Sequence, residues 1–237
     1  DFFGIRVGRV KNNVGLYNAI RDVDAARNVA VLPQTIYYDR MRNLMLATDG
    51  VNLYGNVSAG LFGAFDYDLF GGTTSDDPNT ITWQTVARNV GTGMVMGMSG
   101  GGITASLGSY TTRSINMEFQ YGGSLTWNTP LDGLKLGTSL IQRRYEAEFD
   151  IGMNMTIPGV PMPVSMNVPV YMQARDKNNL QFFGEWSWKN LILQGEYVRR
   201  TDELCMTAAM NQGEMAMERE ETQEVFYGLA SYRFAPW

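Results

Sequence analysis

Histidine is absent from the chain. Ser-His and Cys-His catalysis, histidine-ligated zinc and a histidine pH switch are therefore all excluded. One cysteine, Cys205, excludes an intrachain disulfide and a thiolate cluster. Charge is also sparse: Asp, Glu, Lys and Arg make up 18 % of the residues, against roughly 25 % in average domains. The balance is mildly acidic, with net charge −5, and lacks the basic footprint of a nucleic-acid binder. No apolar run approaches the ~18 residues of a transmembrane helix. A membrane β-barrel escapes that test, because its apolar residues occupy only every second position.

Alternation of that kind is what the 237 residues do contain. In NMEFQYGGSLTW, Met117, Phe119, Tyr121, Leu125 and Trp127 fall on one face, and Asn116, Glu118, Gln120, Ser124 and Thr126 on the other. After a turn at 128–133, LKLGTSLIQR places Leu134, Leu136, Thr138 and Leu140 opposite Lys135, Ser139 and Arg143. NLQFFGEWSW, a turn at 189–190, and LILQGEYVRR repeat the arrangement, as do GVNLYGNV, GAFDYDLF and EVFYGLASYRF. The count is eight to ten strands, beginning at Gly4 to Lys11. Stretches 72–115, 147–178 and 201–222 read as long connections, the last with short helices or no regular structure. Short turns alternating with long loops are the pattern of outer-membrane barrels. The expected fold is thus an all-β, antiparallel transmembrane barrel, a single domain over 1–237.

Each face then has an expected role. Arg6, Asp66, Asp68, Glu118, Lys135, Glu185, Glu196, Arg200 and Arg233 share the polar face and are expected to line a hydrated lumen. Trp127, Trp186 and Trp188 abut the short turns on the apolar face, where a lipid-facing aromatic girdle belongs. Between strands, residues 17–42 concentrate Arg21, Asp22, Asp24, Arg27, Asp39, Arg40 and Arg42. Folded into a barrel, this segment would form a constriction; on the outside it would be a loop with local ion pairs. Of the fifteen Met, twelve fall in the stretches read as connections. Thioethers bind soft Cu(I) and also fill irregular gaps. With no His or Cys pair to help, packing is the expected use, and neither metal nor cofactor is expected. Cys205 reads as a small apolar residue.

Five segments carry a family resemblance: GIRVGRVKNNVGLYNAIRDVDAARNVAVLPQTIYYD, LATDGVNLYGNV, FDYDLFGG, GGSLTWNTPLDGLKLGTS and GEWSWKNLILQGEYVRR. Together they resemble Gram-negative outer-membrane porins of the broad class related to phosphate-selective porins. Gly8-Arg9-Val10-Lys11 followed by Gly15-Leu16-Tyr17-Asn18 is the best anchor. Asn12-Asn13-Val14 stands where that class often has a proline. The resemblance implies a bacterial outer-membrane location, contact with its lipids, passive diffusion of small hydrophilic solutes or ions, a homotrimer, and a chain that is one segment of a longer barrel. It does not imply phosphate selectivity, because no ladder of Arg and Lys lines the inward faces. No bond is made or broken by such a pore, so no catalytic residue is expected. The competing readings are a structural or adhesive outer-membrane barrel whose Met-rich loops meet a partner, and a soluble ligand-binding barrel.

Overall fold

The computed structural model describes residues 2–23, 25, 27–29, 31–38, 42–210 and 213–234. Eight antiparallel strands form one sheet in sequence order: β1 (Gly4–Lys11), β2 (Ala47–Ser58), β3 (Ala64–Thr73), β4 (Thr104–Asn128), β5 (Leu134–Thr156), β6 (Val164–Trp188), β7 (Leu191–Met210) and β8 (Gly213–Tyr232). β1 and β8 are its edges, so the sheet is not closed. Among the described residues two α-helices interrupt the strands, α1 (Arg42–Leu46) and α2 (Ile81–Met98), besides two short 3-10 turns at Asn18–Ile20 and Gly60–Phe62.

The connections differ from the sequence expectation at one end only. Those at 129–133 and 189–190 are short turns, as is 59–63. At the opposite end, 147–178 and 201–222 are not loops or helices. They are continuations of β5 to β8, joined by 157–163 and by residues 211–212. Stretch 72–115 holds α2 and the first half of β4. The strands therefore reach 20 to 25 residues, about twice what a tilted strand needs to cross a bilayer.

Their length is explained by a change of chemistry partway along. In the half of the sheet nearest the short turns, the inward face, to which Gly15, Leu16 and Tyr37 bond, is polar and the outward face apolar. In the far half the assignment inverts. On β5 the inward row runs Lys135, Gly137, Ser139, then Ile141 and Arg143, then Ala147, Phe149, Ile151 and Met153, the last four at 1 % exposure or less. Its outward row runs Leu136, Thr138 and Leu140, then Gln142, Arg144, Glu146 and Glu148. Bulges adjust the other strands to the same plan. β4 slips register at Leu107/Ser109, Thr112/Ser114 and Met117/Phe119, and β6 at Asp176/Asn178. Consequently Met117 is buried inward while Phe119, two residues on, belongs to the outward row.

In the far half, α2 covers the inward apolar face. Trp83, Ala87, Val90 and Met94 recur at helical spacing and pack with Phe149, Ile151, Met153, Val168 and Val170. Gly91 lets the helix approach: a Cβ there would lie 2.6 Å from a methyl of Leu107 and 3.1 Å from one of Ile151. Trp83 Nε1 donates to Asp76 at 2.8 Å, and the Thr112 hydroxyl donates to the Trp83 carbonyl at 3.2 Å.

Candidate functional site

In the short-turn half, the outward rows match across all strands. Ile5 and Val7 lie beside Leu53 and Val51, then come Phe65, Tyr67 and Leu69, then Tyr121, Leu125 and Trp127. Leu136 and Leu140, Phe182, Trp186 and Trp188, Leu193 and Tyr197, and Phe226 and Tyr232 continue the band. Many of these side chains stand open: Val7 79 %, Leu69 52 %, Trp188 53 % and Phe226 81 % exposed. Per strand the band is about nine residues deep (119–127 on β4, 180–188 on β6), which is the length of a membrane-crossing strand. Aromatic rings finish its short-turn border. Phe65 stacks on Trp127 and Trp186 on Trp188, each pair with centroids 6.2 Å apart, while Tyr232 meets Phe234 edge-on. Trp127, Trp186 and Trp188 thus share one rim, as their spacing suggests. At the other border the outward row turns charged: Arg9 with Asp49 at 3.3 Å, Arg144 with Glu118 at 3.0 Å, and Arg199 with Glu224 at 3.6 Å.

The inward face of the same half is polar. Asp66 accepts from Asn56 and Asn128, and the buried Asp68 accepts from Asn52 at 2.8 Å. Arg6 lies over the Tyr54 ring, 3.7 Å from its centroid. Lys135 faces Glu185 at 3.8 Å. Arg200 Nη2 donates to Gln223 at 2.9 Å. Two of the expected lumen residues do not belong with these. Glu118 sits at the Met117/Phe119 bulge and pairs with Arg144 on the outward surface, because the bulge breaks the parity that would turn it inward. Arg233 lies exposed just past the end of β8, at the short-turn rim.

Against this polar face lie the described residues between Asn12 and Leu46. Their anchor is Glu196. The Leu16 amide donates to Glu196 Oε1 at 2.5 Å, the Tyr37 hydroxyl donates to the same oxygen at 2.7 Å, and Gln181 Nε2 donates to Oε2 at 3.0 Å. The Tyr17 hydroxyl donates to Gln194, whose amide donates in turn to Glu185. The Gly15 amide donates to Ser139 Oγ at 3.0 Å. Gly15 has φ +66°, and a Cβ there would fall 2.2 Å from Gln181 Nε2 and 2.5 Å from the Tyr37 hydroxyl. Asn18 ties the segment to itself through the carbonyls of Asn12 and Met45, both at 2.9 Å. Gln120 reaches Thr48, which reaches Asn12. The segment is therefore held to the inward face by buried polar bonds and by Tyr17, Leu32, Ile36 and Tyr37 packing on Val198.

Its charges divide. Asp22 pairs with Lys11 at 3.3 Å and with Arg42, all three partly open to solvent. Arg21 is 5 % exposed and donates to the Tyr37 carbonyl at 2.9 Å, so it braces the segment. Arg27 is half-buried. Asp24, Asp39 and Arg40 lie outside the described residues.

A second polar cluster marks the level where the strand chemistry inverts. Arg143 holds Asp176 through Nε at 2.7 Å and Nη2 at 3.3 Å, both side chains 5 % exposed. Asp202 stands opposite Asp176 and 3.6 Å from Arg200. Burial and the Asp176 charge push the Asp202 carboxyl up to about 6. On the outward surface above, the Glu146 carboxylate that accepts from Tyr171 raises the phenol to about 12, and Lys177, held by Glu220 and Glu203, is raised from its ordinary value. Sequence reasoning passed over Tyr17, Tyr37, Gln181, Gln194 and the Arg143–Asp176 pair. Parity already sets Arg143 on the inward face, but the bulge after Asp176 hides its partner.

Comparison with known proteins finds no matching family model, no matching curated protein and no matching solved structure.

Proposed function

We propose that this chain forms wall and constriction of an outer-membrane β-barrel pore through which small hydrophilic solutes or ions diffuse passively. One observation carries the reading. An exposed apolar band of about membrane-strand depth runs across every strand, bordered by aromatic rings on one side and by ion pairs on the other, over an inward face that is polar. In a water-soluble β-sandwich such a band would be covered by a second sheet, and all eight strands here belong to one. The segment 12–46 is the constriction in this reading, with Asp22, Lys11 and Arg42 as its water-facing charges. The porin-like segments of the sequence support the same location, and they imply a trimer. Planar-bilayer recording on the purified protein tests the proposal: stepwise conductance is expected, together with outer-membrane fractionation and a shift in SDS migration on boiling. A protein that stays monodisperse without detergent and conducts nothing would sink it.

A further inference from the structure

Eleven of the twelve methionines expected in loops stand on strands or on α2, Met162 alone lying in the 157–163 connection, and their placement is not random. The register sets Met172 opposite Met206 and Met206 opposite Met217. Three thioethers therefore stand in one inward-facing row across β6, β7 and β8, on strands about 4.8 Å apart. Met215 lies two residues further along β8 on the same face, opposite Ala208. Met94 of α2 faces the row across a cavity of about 510 Å³ that all five methionines line.

Gap-filling side chains would have closed this space. It remains open, and five of its lining side chains bear a soft, polarisable sulfur. Among the described residues no group of three or more His, Cys, Asp or Glu could hold a metal ion, so hard and borderline cations find no site of that kind. Thioethers select the soft monovalent ions instead. Among the described residues, the one cation lining the cavity, Arg219, has its guanidinium 3.1 Å from Glu221, which answers its charge. We propose that Met172, Met206 and Met217, with Met94 or Met215 as a further donor, bind Cu(I) or Ag(I). Sharing one ion requires the outer two methionines to lean toward Met206. Binding replaces solvent ligands by sulfur and involves no electron transfer. The inference does not rest on the pore reading, since it concerns the half of the sheet beyond the apolar band.

The test uses the full chain in detergent micelles and Ag(I) as probe, with bound metal measured by native mass spectrometry after desalting and Cu(I) affinity measured against a chromophoric chelator. One Ag(I) per chain is expected. M172L, M206L and M217L keep apolar volume, so heat-modifiability should not change, while each weakens binding by roughly tenfold or more. M162L, in the exposed 157–163 connection, should leave binding unchanged. Wild-type protein that holds no more Ag(I) than the triple leucine variant would overturn the site. So would equal losses from M162L and M206L.

Discussion

Glu196 takes three hydrogen bonds from three separate stretches of chain, at Leu16, Tyr37 and Gln181. A buried donor left without an acceptor costs about 1–3 kcal/mol, more than the bond itself contributes. E196L strands all three donors at once. It should therefore release the 12–46 segment, lower the temperature of the boiling-dependent SDS shift, and expose that segment to protease. Y37F removes one donor to Glu196 and the acceptor of the Tyr17 amide, and should cost about 1–3 kcal/mol with the segment still docked. Equal protease sensitivity in both variants would show that Glu196 is not the anchor. Asp202 makes a different prediction. Its folded pKa of about 6 lies above the ordinary aspartate value, so between those two values the folded state binds more protons than the unfolded one. Stability from this group then rises as pH falls through 6 and is reduced at neutrality. D202N should stabilise the protein at pH 7 and flatten its stability profile between pH 4 and 6, measured by denaturant midpoint at each pH.

At the scale of the strand, two chemistries share one element, and neighbouring residues separate them. Leu136 faces outward in the apolar band, and Lys135 faces inward to Glu185. L136R sets a charge where hydrocarbon is proposed, a loss of roughly 2–4 kcal/mol near the midplane. K135Q should fold normally, because its ion pair is half in water and contributes at most about 1 kcal/mol. Refolding yield into detergent separates the two, and equal defects would mean the band is not lipid-facing. In the far half, G91V drives a branched side chain into Leu107 and Ile151 and should cost about 1–3 kcal/mol by overpacking. The short-turn halves were legible in the sequence because Leu136, Leu140, Phe182, Trp186 and their neighbours alternate without a break. The far halves were not. Bulges at Met117/Phe119 and Asp176/Asn178 shift the parity, and a bulge becomes visible only when the partner strand is known. There the apolar residues also move to the inward face under α2. That helix has Thr80 at its N-cap position with no side-chain capping bond, and it contains Gly91, Gly93 and Gly97, so propensity hides an apolar stripe at Trp83, Ala87, Val90 and Met94. The anchors Tyr17 and Tyr37 escaped notice for another reason: they reach Gln194 and Glu196 across more than 150 residues of sequence.

At the scale of the whole molecule, the inward acids and bases of the strands are largely engaged with each other or with amides, so they offer a pore little net field. Asp68 is held by Asn52, Asp66 by Asn56 and Asn128, and Glu185 by Gln194 and Lys135. The open charges gather instead where the 12–46 segment meets the end of β1: Lys11 and Arg42 around Asp22. Two cations and one anion leave this cluster with an excess of one positive charge. A charge counts most at a pore's narrowest point, where water screens it least. For the proposed pore, weak selectivity set by this cluster is expected. D22A removes the anion and should move the reversal potential under a KCl gradient toward anions. R42E reverses one cation and should move it toward cations. Neither substitution touches the Glu196 anchor, and partly exposed pairs of this kind contribute at most about 1 kcal/mol, so both variants should insert and conduct. Salt supplies the internal control. The Debye length falls from about 10 Å at 0.1 M to about 3 Å at 1 M, so both shifts should shrink at the higher concentration. Shifts of one sign for both variants, or none for either, would place the cluster away from the ion path and return the segment to a purely structural part in holding the inward face.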